Sequence, residues 1–211
     1  MLNSIPRISR LLAASFAAAT ILATSALAQQ APTPTVRIRG TIDAVDGSTL
    51  SIKTREGSDV KVRMTDNVAV FAVVKTELSQ IKEGSYIGVS AMPQPDGSQK
   101  AFAVHIFPEN QRGAAEGFRP WDARANSTMT NATVAETVKG TDGQNITVKY
   151  KDGEKKVVVP PGTPVVTFVS GDKSELKPGA KIIIFAAVKK EDGTLEANRV
   201  NVGRDGVTPP M

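Results

Sequence analysis

From residue 36 onward the chain alternates between apolar and polar positions. Val36, Ile38, Ile42 and Ala44 are interleaved with Arg37, Arg39, Thr41 and Asp43, and further on Val60, Val62 and Met64 are interleaved with Lys61 and Arg63. A period of two turns one face of a strand toward a core and the other toward water. Asp-Gly pairs at 46–47, 96–97, 142–143 and 192–193 punctuate the runs, and this dipeptide supplies the positive φ angles that tight hairpins need. Only "TELSQIKEG" and "SELKPG" read as helical, for a turn or so. The pattern predicts an all-β protein.

The same pattern occurs twice. Residues 40 to 57, "GTIDAVDGSTLSIKTREG", align with 136 to 153, "ETVKGTDGQNITVKYKDG", so that Leu50 falls on Ile146, Ile52 on Val148 and Gly57 on Gly153. The register carries on through "SQIKEGSYIGV" over "SELKPGAKIII" and "AFAVHIF" over "ANRVNVG". Each copy holds five or six short antiparallel strands, enough to close a small barrel of the OB or similar Greek-key kind. The expected architecture is two tandem small β-barrels, residues 36–107 and 132–204, joined by a long irregular linker, 108–131, with a C-terminal tail at 205–211. A barrel this small is filled by its own side chains. Any ligand must then bind an outer face, a loop or the seam between repeats.

The N-terminus reads as a targeting segment. Arg7 and Arg10 precede an uncharged run from Leu11 to Leu22, and Ala26-Leu27-Ala28 offers a small-x-small cleavage site, the layout of a secretory signal peptide. Residues 1–28 are therefore expected to be removed, leaving a short tail at 29–35 and a periplasmic or secreted protein. The apolar run is short for a hydrocarbon core of roughly 30 Å, and no later segment is apolar enough to span one.

Composition narrows the chemistry. The absence of cysteine removes disulfides, thiolate metal sites and a cysteine nucleophile together. The leader carries two arginines and no acid, so the remainder holds 24 basic against 21 acidic residues. That is a mixed, solvated surface without the basic stripe of a nucleic-acid binder.

His105 is the only histidine. Alternation in "AFAVHIF" sets Phe102, Val104 and Ile106 on one face and turns His105 outward, as a polar surface residue or as a ligand. A transition-metal site for copper, zinc or nickel would combine His105 with Glu109 and Met129, or with Glu116, Asp122 and Met92. One histidine without cysteine falls short of the usual zinc sets, and no calcium-loop spacing occurs. No Gly-x-Ser-x-Gly elbow or P-loop is present, and the linker carboxylates have no frame to hold them at a fixed separation, so an enzyme is not expected.

The linker holds the chain's only tryptophan, in "RPWDARANSTMTN". A disordered spacer has no use for an indole. Trp121 is expected to pin the linker against one or both barrels, with an arginine pairing Asp122. Arg119, Trp121 and Asp122 join His105 and Glu109 as binding candidates.

The order "GTIDAVDGSTLSIK", "IKEGSYIGV" and "DGSQKAFAV", repeated as "DGQNITVK", "LKPGAKIII" and "DGTLEANRV", resembles the bacterial exported domain-of-unknown-function family 5666. The resemblance implies an envelope-located β domain with no established activity. Taken whole, the chain resembles a proteobacterial two-repeat group often labelled metal ABC transporter permease, a label that the hydropathy contradicts. Together these readings describe an exported, non-enzymatic binding or envelope-interaction module. Its partner would be an envelope protein, a glycan or a metal ion, and the alternative is a periplasmic metal-binding accessory protein.

Overall fold

The computed structural model describes residues 34–140 and 143–211; the expected signal peptide lies outside them, as do most of the tail at 29–35 and the turn residue Asp142. Among the described residues no helix is long and apolar enough to cross a membrane. The chain is all-β, with strands β1 Thr35–Asp46, β2 Thr49–Thr54, β3 Asp59–Thr76, β4 Tyr86–Pro93, β5 Gln99–Ile106 and β6 Gly117–Trp121 in its first part. Then follow β7 Ser127–Gly140, β8 Gly143–Tyr150, β9 Gly153–Val159, β10 Val165–Ser170, β11 Lys181–Lys189 and β12 Leu195–Gly203. The Asp-Gly turns at 46–47, 96–97 and 192–193 form as expected. Gly47 sits at φ 54°, and the Asp96 carboxylate accepts from both the backbone N–H and the hydroxyl of Ser98.

Five strands close into a barrel in the order β1, β2, β3, β12, β11 and back to β1. All of its seams are antiparallel except β3 with β12. β11 lies beside β1 after a long connection, which is the Greek-key arrangement. Its interior is filled by Ile42, Leu50, Val62, Ile182 and Val200, all essentially inaccessible, and burying each is worth about 1.5–3 kcal/mol. A second set, β4, β5, β9, β8 and β7, pairs in the same cyclic order around Ile87, Val104, Val134, Ile146 and Val148. It closes through only two residue pairs, Gln99 with Val157 and Lys100 with Val158.

The two rings do not correspond to the two sequence repeats. The hairpin β4–β5 of the first repeat completes the ring of β7, β8 and β9, while its counterpart β11–β12 completes the ring of β1, β2 and β3. The expected division into one barrel per repeat thus gives way to an exchange of hairpins. The cause lies in β3. Its 18 residues stay extended, and at about 3.3 Å each they carry the chain along some 60 Å of strand, out of the first ring and alongside β10. The end of β3 pairs antiparallel with β10, Phe71 opposite Ser170 through Thr76 opposite Val165. β10 pairs on its other edge in parallel with β5, so it stitches the rings together.

The segment at 108–131 is not irregular. Residues 117–121 form β6, and β7 begins at Ser127 and lengthens the sheet from the repeat side, with Trp121 opposite Ser127 and Gly117 opposite Asn131. Alternation hid this because Pro120 and the turn at 122–126 interrupt it.

Candidate functional site

A third apolar cluster lies where the rings meet, built from Val73 on β3, Trp121 on β6, Met129 on β7, Val166 and Phe168 on β10, and Ile183 on β11. Beside it is a cavity of about 300 Å³. Met129, His105, Trp121 and Phe168 reach it from different strands, and Ala114 and Ala115 reach it from the turn before β6. The interior of each ring is filled, and this cavity lies at the seam between the rings.

Trp121 is 9% exposed and pins β6 as expected. The Arg37 guanidinium lies over the indole, 3.9 Å from its centroid, a geometry that attracts a cation to a ring face. The arginines that pair Asp122 are not its neighbour Arg119. Arg37 and Arg39, from β1, reach the carboxylate at 2.8 Å and 2.7 Å. Partial burial pushes the Asp122 carboxyl up, but hydrogen bonds from Arg39 and Arg37 outweigh it and hold the group down at about 2. The turn that follows is closed by the Ser127 hydroxyl, which donates to the carbonyls of Trp121 and Arg124.

His105 does not face solvent. It is 4% exposed, lies opposite Gly88 on β4 and Val166 on β10, and meets the rings of Phe107 and Phe168 edge to face at 4.3 Å and 5.5 Å. A Cβ on Gly88 would stand 1.9 Å from the imidazole, so glycine is what admits the ring. Alternation had placed His105 off the β5 core face correctly. The side it faces is covered by β10 and the segment before β6, which strand periodicity alone does not show. Burial, helped by the charges of Arg119 and Arg199, pushes the imidazole down to about 3 and keeps it neutral.

The remaining candidates separate. Arg119 lines the cavity and donates to the Ala115 carbonyl at 2.8 Å. Glu109 is exposed and forks onto Arg112 at 2.6 Å and 2.7 Å, so it does not join His105 and Met129. Glu116 accepts from the Lys151 backbone N–H. Among the described residues no group of three or more His, Cys, Asp or Glu side chains is placed to hold a metal ion.

The residues not foreseen are Arg37 and Arg199. Arg199, on β12, stacks on Phe71 at 4.0 Å and is held by the neutral side chains of Asn201 and Gln111. Burial lowers its pKa, and burial together with Arg37 lowers that of Arg119. Neither has a carboxylate partner among the described residues, and the cavity wall carries no acidic side chain. Several buried polar atoms around it also lack a partner: Arg37 Nε, Trp121 Nε1, His105 Nδ1 and Asn131 Oδ1. Such groups are costly to leave unsatisfied. The signal of Arg37 and Arg199 in the sequence was faint, since each occupies the polar phase of an ordinary strand alternation.

Comparison with family models, curated proteins and solved structures finds no match to this chain.

Two outcomes follow from this geometry. Trp121→Ala should lower unfolding free energy by about 3–5 kcal/mol, as large-to-small aromatic changes in a packed site do, and a variant that denatures with the wild type would contradict the pin. Because the folded imidazole sits near 3 against an ordinary 6.5, the unfolded chain takes up a proton that the folded chain refuses. His105 therefore costs stability as pH falls below 6.5 and is neutral above it, by up to about 1.4 kcal/mol per pH unit. Denaturant titrations between pH 7 and about 5.5, above the ordinary carboxylate range, should show a shallower acid loss in His105→Asn. Equal slopes would contradict the buried neutral ring.

Proposed function

We propose that this protein is an exported, non-enzymatic binding module whose ligand is a small anion with an apolar body, held in the seam cavity. One observation carries the reading: the cavity is lined by Arg37, Arg119 and Arg199 with no acidic side chain among them. Arg119 and Arg199 have no carboxylate partner and sit partly desolvated in an aromatic-walled pocket, so only neutral groups offset the cost of their burial until an anion enters. Their donors stand in a planar fork suited to an oxyanion. The volume lies at the lower end of small-molecule pockets. Periplasmic placement rests on the leader pattern of residues 1–28.

The metal-accessory reading has less support. His105 and Met129 do share the cavity wall, but Arg119 and Arg199 share it too, and their charges disfavour a cation beside a histidine that they already help to keep neutral.

The test uses 8-anilinonaphthalene-1-sulfonate, an anionic amphiphile whose absorption overlaps tryptophan emission. Titrated into the purified protein, it should quench Trp121 saturably at one site, more weakly as salt rises. Ala114→Phe, which narrows the cavity from its rim and adds no second indole, should abolish the effect without lowering the melting temperature. Quenching that is absent in the wild type, or undiminished in a folded Ala114→Phe, would sink the reading.

A further inference from the structure

Resting on the binding reading above, we propose that the natural ligand class is an aromatic carboxylate of one or two rings. The wall chemistry argues for the rings. Both barrel cores are built almost wholly from Val, Ile, Leu and Ala, yet no Val, Ile or Leu lines the cavity, whose large surfaces are Trp121, Phe107, Phe168 and Phe185. A pocket for a flexible acyl chain would be walled by branched aliphatic groups. Rings arranged around a void instead offer edges and faces, and a further ring gains edge-to-face or offset contact with them. The existing contacts are of that type: His105 already meets Phe107 and Phe168 edge to face, at interplanar angles of 66° and 70°.

The charge pattern argues for a single planar anion. Arg119 and Arg199 are each oriented by neutral acceptors, the Ala115 carbonyl for one and the side chains of Asn201 and Gln111 for the other. They are therefore held in place before a ligand arrives, which removes part of the ordering cost of binding. A carboxylate matches a guanidinium edge in plane and shape. The neutral His105 adds no third charge beside Arg119 and Arg199. The volume of about 300 Å³ admits one or two rings with a carboxylate.

Calorimetric titration of the purified protein with 1-naphthoate, its neutral amide 1-naphthamide, octanoate and inorganic phosphate tests the class. Naphthoate should bind at micromolar Kd, with the other three at least tenfold weaker. Arg119→Gln and Arg199→Gln should each weaken naphthoate at least tenfold while melting as the wild type does, and Lys82→Gln, on an exposed turn, serves as a charge control that leaves binding unchanged. Octanoate binding as tightly as naphthoate would overturn the aromatic assignment. Naphthamide binding as tightly would overturn the carboxylate, and phosphate binding as tightly would overturn the need for a ring. In each of these cases the seam cavity remains a binding site. If none of the four binds but the naphthalene sulfonate dye still quenches Trp121, the class falls and the binding reading stands. Should the dye fail as well, both fall.

Discussion

Everything in this structure depends on the closure of each ring by a hairpin from the other half of the chain. β1, β2 and β3 make a curved three-stranded sheet with two open edges, and so do β7, β8 and β9. Open edges of this kind need partners. β11 and β12 close the first sheet; β4 and β5 close the second. Because β3 runs on beyond the first ring to pair with β10, and β10 pairs in turn with β5, the rings cannot separate without breaking the sheet. A concave seam between them is the result, and the 108–131 segment folds over it as β6 and the start of β7.

The two halves have not kept the seam alike. At corresponding places in the paired hairpins stand Gly88 with His105 and Ile183 with Asn201. In the second half Asn201 donates to the Ile183 carbonyl and Ile183 is fully buried, so that side is closed and satisfied. In the first half the missing Cβ of Gly88 admits the imidazole, whose buried Nδ1 has no hydrogen-bond partner. An approximate two-fold arrangement is thereby broken where the candidate site lies. The same break accounts for the electrostatics. Arg37 is engaged by Asp122 and by the face of Trp121, whereas Arg119 and Arg199 are held by neutral groups alone.

Much of this was legible in the residues. Period-two alternation and the Asp-Gly turns placed the strands, and self-comparison revealed the repeat and hence the closed barrel topology. Trp121 was recognisable as a pin because a disordered spacer has no use for an indole. Three features escaped. Hairpin exchange is invisible locally, since β4–β5 and β11–β12 carry the same pattern and fit either three-stranded sheet. The burial of His105 escaped because alternation reports which side of a strand a residue takes, without reporting whether water or another strand lies on that side. Arg37 and Arg199 read as ordinary polar-face residues, and only the packing of β6 and β10 across them makes them walls of a cavity.

The exchange can be tested directly because the chain has no cysteine of its own. Thr41 on β1 and Lys181 on β11 lie opposite each other in register, and the lysine Nζ donates to the threonine hydroxyl at 2.7 Å. The double variant Thr41→Cys with Lys181→Cys should form a disulfide within a single chain on mild oxidation, since directly opposed strand positions bring Cβ atoms within reach. A monomeric cross-linked product would confirm that the hairpin of the second half closes the barrel of the first. Free thiols in the folded protein, or disulfides found only between two chains, would contradict it.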